Sequence, residues 1–541
     1  MVPDPPLRIA QTRRCCRVGA VTEDGADNRL EAAVVAASLA DAGRHEADLV
    51  LERRAKVRRL REAGIEPFQR VFSGRVEVGE VLSAHEGLAQ AGDHPSLTYR
   101  VAGRVAARRG HGKTIFLDLV DRSGRLQLYA REDALEPAAY ERILDLDHGD
   151  VIGVEGCVYV TKRGELALKV AELTLLAKAL RPPPEKYHGL SDVETRSRRR
   201  ELDLIANQAS RDVFVTRARI ISAVRRWFDS QGFIEVETPV LQPLYGGALA
   251  RPFITRHNAL DRSLYLRISM ELYLKRCLVG GLENVYDLSK CFRNEGLSHH
   301  HNPEFTIVEW FQAYTDYLGV IAFVEGMVAS VAEEVLGTTV IERDGHRIDL
   351  APPWRRVGMC EAILEATGVH VLDASCEELA DAIGDGAPRD ASWDRLVAKL
   401  FSKHVEPTLI QPTFVLDYPA ELWAVGRPVA GEPRLVESFD AIVGGLEIGS
   451  GSTDLNDPDE QRARFLEQRA DLTDERDDGH PYDEDFVRAL EHGMLPAAGA
   501  GLGIDRLVML LTGRESLRDV VLFPAMRSRP HGGPPPYDEA A

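Results

Sequence analysis

The sequence predicts an α+β protein in which a small β-barrel is followed by a larger domain of helices and strands. At 541 residues, the chain is too long for a single hydrophobic core. Five short strand patterns separated by turn residues lie between Leu97 and Leu180. A proline-rich stretch, LRPPPEKYHGL, comes next and is typical of a linker. The predicted segments are 1–44 as a disordered extension, 45–180 as a helix and the barrel, 181–191 as the linker, 192–527 as the larger domain and 528–541 as a disordered tail.

The bulk composition excludes several classes of protein. The net charge of -19 argues against a general nucleic-acid coat protein, although local basic patches are compatible with RNA binding. The seven cysteines show no paired spacing apart from Cys15 and Cys16, so we expect reduced thiols and no structural zinc site. No run of about 18 apolar residues is present, and residues 1–20 lack the apolar stretch of a secretory signal. We therefore expect a cytoplasmic protein without membrane segments.

The first predicted element is a helix from Glu46 to Gly64. Leu49, Leu51, Val57 and Leu60 recur at helical spacing, arginines are dense, and a glycine ends the pattern. The helix is either a solvated amphipathic helix or one whose basic face contacts RNA.

The strand patterns that follow predict a barrel of the OB type. Such barrels bind single-stranded nucleic acid by stacking aromatic side chains on bases. Periodicity alone favours a place in the barrel core for Phe116, and a base-stacking role is the alternative. The predicted strands are TYRVAGRV, TIFLDLVD, RLQLYARED, DVIGVEGCVYV and ELALKVAELTLL.

The larger domain begins with a long amphipathic helix, predicted from Ser210 to Gln231. The strand after it contains Pro239, which suits a sheet edge or a subunit contact. Residues 319–410 contain helical patterns and are interpreted as an insertion. Neither a P-loop nor a Rossmann-type glycine-rich loop is evident.

The segment from Cys291 to Tyr317 is the most informative stretch of the larger domain. Arg293 and Glu295 lie two residues apart, so on a strand they would share a face. Gly296 opens a loop rich in histidine, and Phe305 resumes an apolar strand. A planar guanidinium grips phosphate or carboxylate in a bidentate manner, and an aromatic ring can stack on a purine. The segment therefore predicts a triphosphate-binding hairpin, with an ordinary charged hairpin as the alternative.

Two groups of potential metal ligands differ in their geometry. Asp440 and Glu447 lie seven residues apart in FDAIVGGLEIG, which allows two strands across a glycine bend and a paired-carboxylate Mg²⁺ site. A surface pair of carboxylates is the alternative. The triplet His299–His301 is a poor metal site, because three consecutive side chains diverge.

Five sequence segments carry a resemblance to a known family. FRNEG followed by HNPEFT resembles motif 2 of the class II aminoacyl-tRNA synthetases, most closely that of the lysyl enzymes. GFIEVETPVL resembles motif 1, and GAGLGIDRLVML resembles motif 3. GGALARPFITRHNALD and ELYLKRCLVGG are similar to lysyl segments. The likeness runs from about residue 47 to about residue 527.

The resemblance implies a fold, cofactors and partners. The fold class is α+β, with an N-terminal OB-fold barrel and a class II synthetase antiparallel-sheet catalytic domain flanked by helices. ATP and Mg²⁺ are the implied cofactors, and lysine and tRNA(Lys) the implied partners. The motif 1 element implies a homodimer. The helix at Glu46 to Gly64 has a counterpart in the lysyl family, which favours RNA contact.

The resemblance also implies roles for individual residues. Arg293 would bridge the substrate carboxylate and the α-phosphate, and Arg506 would grip the γ-phosphate, so these are the expected catalytic residues. The expected ATP-binding residues are Arg293, Glu295, His301, Asn302, Phe305 and Arg506. The expected amino-acid-binding residues are Gly247, Glu271, Arg293, Glu309, Phe311, Ser450 and Asp454. The expected anticodon-binding residues are Phe116, Gln127 and Glu165, and the expected Mg²⁺ ligands are Asp440 and Glu447.

The sequence departs from the lysyl pattern around the amino-acid pocket. Phe311 stands where lysyl enzymes usually have a tyrosine, and Asp454 where they have a glutamate. Ser450 and Ser452 replace an asparagine and a phenylalanine, and His300 replaces an arginine. A lost hydrogen-bonding group can relax selectivity by orders of magnitude.

Three functions are compatible with these observations. The first is an ATP-dependent ligase that charges tRNA with lysine. The second is a paralogue that activates a lysine analogue or passes the aminoacyl group to another acceptor. The third is a non-catalytic RNA-binding module that combines the barrel with an altered site.

Overall fold

The computed structural model describes residues 35–36, 44–184, 190–248, 250–388, 391–423, 426–470 and 481–527, without the side chains of residues 44, 111 and 467–470. The chain forms two compact units that divide between residues 186 and 187. This division falls within the predicted linker, of which residues 185–189 lie outside the described part. The predicted disordered extension, apart from residues 35–36 and 44, and the predicted disordered tail also lie outside it.

The described part of the first unit is a closed five-stranded barrel accompanied by helices. The strands are hydrogen-bonded in the order β1-β2-β3-β5-β4, and β4 pairs back with β1. Only β3 and β5 are parallel among these neighbours. The predicted OB-type barrel is therefore confirmed. Its elements are α1 (Arg44–Glu62), α2 (Val78–Ala84), β1 (Gly92–His111), β2 (Thr114–Val120), β3 (Arg125–Arg131), α3 (Pro137–Leu144), β4 (Val151–Val160) and β5 (Leu166–Ala177).

Alternation along β2 separates the barrel core from its outer face. Ile115, Leu117 and Leu119 are buried in the barrel core, whereas Phe116 between them is only half-buried and lies outside that cluster. Successive strand residues point to opposite faces. The periodicity-based placement of Phe116 in the core is therefore wrong.

The predicted apolar stripe of α1 is only partly correct. Val50 and Val57 are buried, whereas Leu51 is 45% exposed. Arg53 is also buried, and its Nη1 donates to the carbonyls of Ala179 and Arg181. Arginine thus takes part in packing this helix.

The second unit is built on one large sheet. Its helices are α4 (Val193–Arg198), α5 (Arg200–Ala206), α6 (Gln208–Ser230), α7 (Glu271–Val279), α8 (Tyr317–Leu336), α9 (Met359–Thr367), α10 (Cys376–Ile383), α11 (Trp393–His404), α12 (Pro458–Ala470), α13 (Glu484–Glu491), α14 (Ile504–Thr512) and α15 (Leu517–Val520). Its strands are β6 (Ile234–Glu235), β7 (Leu241–Gln242), β8 (Ile254–His257), β9 (Arg262–Leu266), β10 (Asn284–Phe292), β11 (Glu304–Ala313), β12 (Val340–Arg343), β13 (His346–Asp349), β14 (Arg355–Gly358), β15 (Thr413–Pro419), β16 (Pro428–Val429), β17 (Glu432–Val443), β18 (Leu446–Thr453) and β19 (Ala497–Gly503).

The large sheet has the order β14-β15-β17-β18-β19-β11-β10-β6, and β16 pairs with β17. All of its pairs are antiparallel except β14 with β15 and β6 with β10. The predicted antiparallel sheet flanked by helices is confirmed.

Helices α6, α8 and α14 cover one face of this sheet. Phe228 of α6, Phe323 of α8 and Leu507 of α14 share a core cluster with Trp310 of β11. Interpreting residues 319–410 as an insertion is therefore wrong for α8, which belongs to the main core, and for β14, which is a strand of the main sheet. Helices α9 to α11 contribute to a separate cluster.

No helix within the described ranges has the length and apolar character needed to span a membrane.

Candidate active site

A cleft of about 510 Å³ opens over the central strands of the large sheet. Strands β11, β18 and β19, the loop between β10 and β11, and the start of α7 form its walls. The fold brings together every residue that the sequence analysis selected for ATP and amino-acid binding, together with one of the two expected Mg²⁺ ligands, Glu447. Those that line the cleft are Gly247, Glu271, Arg293, Glu295, His301, Asn302, Phe305, Glu309, Phe311, Glu447, Ser450, Asp454 and Arg506.

The predicted hairpin forms, but its strand is shorter than predicted. Strand β10 ends at Phe292, so Arg293 and Glu295 lie in the connecting loop and do not share a strand face. The Arg293 amide donates to the carbonyl of Pro303 at 2.9 Å, which closes the loop. The Arg293 guanidinium lies 5.1 Å from the centroid of the Phe305 ring. The cation and the aromatic surface therefore share one end of the cleft.

The histidines of this loop are held close to arginine. Ser298 Oγ and His301 Nδ1 are hydrogen-bonded at 2.9 Å. Burial, reinforced by the positive charge of Arg506, lowers the pKa of both His300 and His301. Both imidazoles are therefore mainly neutral at pH 7 and can contact a phosphate as neutral groups.

Arg506 is placed by a glycine-bend hairpin. Strands β17 and β18 pair across Gly444 and Gly445, both at positive φ, as the predicted spacing required. Arg506 Nη1 donates to the Glu447 carbonyl at 2.7 Å and lies 3.3 Å from the Glu447 carboxylate. Asp440 does not line the cleft; its Oδ2 accepts a hydrogen bond from the Tyr418 hydroxyl at 2.5 Å.

The carboxylates of this hairpin and the nearby Glu406 repel one another. Burial, reinforced by the charge of Glu447, raises the pKa of Asp440 well above its usual range, and burial together with Glu447 raises the pKa of Glu406. A cation would relieve this repulsion. No group of three or more histidine, cysteine or acidic side chains within the described ranges could hold a metal ion. A Mg²⁺ ion here would therefore need phosphate oxygens and water as its remaining ligands.

The opposite end of the cleft is lined by buried carboxyl groups. Glu309 accepts hydrogen bonds from the Ser269 hydroxyl and from the Met270 amide, each at 2.8 Å. Burial raises the pKa of Glu309 to about 7. Gly247 lies at φ 83°, and a Cβ there would come within 2.8 Å of Glu271 Cβ. Only glycine lets this loop approach the start of α7 so closely.

Lys275, which was not predicted from the sequence, joins two of the predicted amino-acid-binding residues. Its Nζ lies 2.7 Å from Glu271 Oε1 and 3.0 Å from Asp454 Oδ1. Burial raises the pKa of Asp454 to about 7 although Lys275 opposes the shift. The spacing of Glu271 and Lys275, four residues apart on a predicted helix, was the signal that could have revealed the first contact.

A row of side chains on β18 and on the residue after it completes this end of the cleft. Ser450, Ser452 and Asp454 occupy alternate positions and all line the cleft. Leu422 and Trp423 line it as well, and neither was predicted. They lie in the segment that follows β15.

The barrel unit has a separate aromatic surface. The Phe116 and Tyr129 rings lie 5.3 Å apart, and Tyr129 stacks on Tyr159 at 4.5 Å. Gln127 lies on the same strand as Tyr129, two residues away, so their side chains share a face. Glu165 lies in the turn before β5, exposed. The two tyrosines were not predicted.

Comparison with known proteins agrees with both units. Residues 192–527 match the family described as tRNA synthetases class II (D, K and N), and residues 99–176 match the OB-fold nucleic acid binding domain. The first match covers more than half of the chain.

Individual relatives indicate the branch of this family to which the chain belongs. The chain is 49% identical over 491 residues to the lysine--tRNA ligase of Moorella thermoacetica, covering 90% of this chain and 99% of that protein. It is 46% identical to the lysine--tRNA ligase of Carboxydothermus hydrogenoformans, covering 89% and 98%. It is 45% identical to that of Bacillus subtilis, again covering 89% and 98%. The chain therefore belongs to the class II tRNA synthetases, in the branch of the lysine--tRNA ligases.

Proposed function

We propose that this protein activates lysine with ATP to form lysyl-adenylate and then transfers the lysyl group to tRNA(Lys). The observation that carries this proposal is the division of one cleft into two ends. Two guanidinium groups, Arg293 and Arg506, lie at the end with Phe305, and the carboxyl groups of Glu271, Glu309 and Asp454 line the other end. The first end suits a nucleoside triphosphate, and the second suits an amino acid with two amino groups.

The first step needs alignment and charge dispersal but no side-chain nucleophile. A carboxylate oxygen of lysine attacks the α-phosphorus, the bond to the β-phosphate breaks, and pyrophosphate leaves. Arg293 would neutralise the carboxylate and the α-phosphate as they approach, and Arg506 would hold the γ-phosphate. Phe305 would stack on adenine. Glu295, His301 and Asn302 would contact the nucleotide within the loop.

Asp440 and Glu447 are the proposed protein ligands of a Mg²⁺ ion that accompanies ATP. Oxygen donors suit this hard cation, and a bound cation would offset the charge of Glu447, which adds to burial in raising the pKa of Asp440. When bound, the ion would neutralise phosphate charge. Tyr418 would orient Asp440 through its hydroxyl.

The amino acid would lie between Gly247 and β18. Glu271 and the Gly247 backbone would hold the α-amino group, near Glu309. Asp454 would receive the side-chain ammonium group, with Phe311 and Ser450 forming the wall around the aliphatic stem.

The remaining assignments concern the whole chain. Residues 45–180 would read the anticodon through stacking on Phe116 and base-edge contacts of Gln127 and Glu165. Residues 192–527 would be the catalytic domain. The segment around Pro239 would form a homodimer interface, and the protein would act in the cytoplasm.

Lysine-dependent exchange of pyrophosphate into ATP tests the proposal. We expect exchange with lysine to exceed that with ornithine, arginine, β-lysine or N-methylated lysines, followed by charging of tRNA(Lys). Preference for one of the analogues, or exchange with none of these amino acids, would refute it.

Arg293→Ala supplies the matching variant for this assay. Loss of a preorganised charge contact to the transition state costs about 100-fold or more in rate, and we expect exchange to fall by at least that factor while the fold persists. Arg347→Ala, in the exposed β12–β13 hairpin, is the matched control and should keep full exchange. An Arg293→Ala protein that unfolds earlier but exchanges normally would assign Arg293 a purely structural role.

A further inference from the structure

Lys275 is a buried cation at the amino-acid end of the cleft. Its side chain is 2% exposed, and its Nζ contacts Glu271 Oε1 at 2.7 Å and Asp454 Oδ1 at 3.0 Å. The Nζ also lies 5.4 Å from the centroid of the Phe311 ring. Two carboxylates and one aromatic ring thus surround a single ammonium group.

The electrostatics keep this ammonium group charged. Burial by itself would lower the pKa of Lys275, but the charges of Asp454 and Glu271 outweigh burial and raise it. A charged Lys275 binds both carboxylates at once. Removing it would leave the buried Asp454 and the half-buried Glu271 without a compensating charge.

The two carboxylates come from different elements. Glu271 is the first residue of α7, and Asp454 directly follows β18. Among the described residues, Lys275 is the basic side chain that contacts both of them. The separation of the two acids therefore depends on the length and direction of the Lys275 side chain.

Asp454 retains one acceptor for a ligand. The residue is 3% exposed and lines the cleft, yet its Oδ2 has no hydrogen-bond partner among the residues that the structure describes. A buried carboxylate oxygen without a donor is costly, so a bound donor at this position is strongly favoured. Lys275 contacts Oδ1 and leaves Oδ2 without a donor.

We propose that Lys275 is a positioning residue that selects the length of the amino acid, because it fixes the separation of Glu271 and Asp454. The proposal rests on the proposed activation of lysine, whose two amino groups these acids would receive. Ornithine is shorter than lysine by one methylene group, and homolysine is longer by one. Each would leave one acid incompletely paired in the wild-type cleft. Such a mismatch lowers kcat/KM for the analogue relative to lysine.

Lys275→Met tests the proposal, because methionine has a similar length and no charge. Without the Lys275 ammonium group, Glu271 and Asp454 can move independently. We expect the kcat/KM ratio of lysine over ornithine, and of lysine over homolysine, to fall by about 10-fold or more in pyrophosphate exchange. The loss for lysine should appear mainly in KM.

A second variant keeps the experiment informative if Lys275→Met does not fold. Lys275→Arg preserves the charge but is longer and donates through a planar fork. It should separate Glu271 from Asp454 and shift the preference from ornithine toward homolysine. Lys178→Met is the matched control, since Lys178 in the barrel unit is equally buried and lies 2.5 Å from Asp147 and 2.7 Å from Asp150. The kcat/KM ratios of Lys178→Met, for lysine over ornithine and for lysine over homolysine, should equal those of the wild type.

The outcomes separate the two proposals. If the wild type responds to lysine but the Lys275 variants reduce kcat/KM by one common factor for all three amino acids, Lys275 is only structural and the inference is overturned. If the wild type shows no pyrophosphate exchange with any of the three amino acids, both the proposed function and this inference are overturned.

Discussion

Glu309 keeps a carboxyl group in a place that water scarcely reaches. Its oxygens accept from the Ser269 hydroxyl and the Met270 amide, but burial is the larger effect and raises its pKa to about 7 from a usual value of 4.5. The native state therefore holds a proton on Glu309 at pH values where the unfolded chain has lost it.

This shift predicts a pH-dependent stability. Because the folded pKa lies above the unfolded one, the stabilising contribution of Glu309 is complete below about pH 4.5 and is lost as the pH rises through about 7. Glu309→Gln cannot ionise, so its unfolding free energy should fall less between pH 5 and pH 7.5, by up to about 3 kcal/mol. Denaturant unfolding at the two pH values measures the difference.

Glu304→Gln, at the exposed start of the same strand, is the control and should follow the wild type. If the unfolding free energy of the wild type and of Glu309→Gln falls equally between the two pH values, other buried acids, such as Asp454, account for the pH dependence of stability.

At the scale of elements, one arginine connects three parts of the catalytic unit. Arg217 of α6 lies 2.6 Å from Asp505 Oδ1 of α14 and donates to Thr306 Oγ1 of β11 at 3.0 Å. Asp505 Oδ2 accepts the Thr306 amide at 2.8 Å. Asp505 precedes Arg506, and Thr306 follows Phe305. Helix α6 thus positions both proposed nucleotide contacts although it does not line the cleft.

Arg217→Met should therefore disturb ATP binding more than amino-acid binding. We expect KM for ATP to rise about 10-fold with KM for lysine nearly unchanged, because Arg506 and Phe305 lose their common support. Unfolding free energy should fall by about 3 kcal/mol, since Asp505 is left buried without its partner. Exchange kinetics with each substrate varied in turn, and denaturant unfolding, measure these effects.

Arg217→Lys should recover part of the ATP affinity. Arg225→Met on the same helix removes an exposed contact with Glu235 at 3.0 Å and should cost less than about 1 kcal/mol. Equal increases in both KM values for Arg217→Met would indicate general loosening and contradict a specific role.

At the scale of the whole molecule, the two units carry different chemistry. The catalytic unit contains the cleft, and the barrel unit carries the surface formed by Phe116, Tyr129 and Tyr159. As proposed, amino-acid activation would use residues of the catalytic unit alone. Recognition of tRNA should depend on the barrel surface as well, so the two activities should be separable.

Phe116→Ala should lower kcat/KM for tRNA charging by about 10- to 100-fold, because stacking on a base contributes about 1–3 kcal/mol. Lysine-dependent pyrophosphate exchange should remain at the wild-type level. Phe68→Ala, an exposed phenylalanine of the same unit that packs near Arg61, is the control and should leave charging intact. A parallel fall in exchange would show that Phe116 supports the fold rather than RNA binding.

Sequence alone determined the features that depend on local patterns. Strand alternation and turn residues located all five barrel strands, and the glycine bend placed Asp440 and Glu447 on adjacent strands. Every residue expected from the family resemblance to bind ATP or the amino acid lines the cleft, although other lining residues, such as Leu422 and Trp423, were not selected. These features follow from side-chain periods and turn chemistry within short stretches of chain.

Tertiary structure alone decided the contacts between distant segments. Thr306 and Asp505 are 199 residues apart, and Lys275 meets Asp454 only because α7 packs beside the end of β18. The core position of α8 and the outward face of Phe116 depended in the same way on what packs against each element. Periodicity shows that a side chain has a buried face, but only the packed fold shows which partner it meets there.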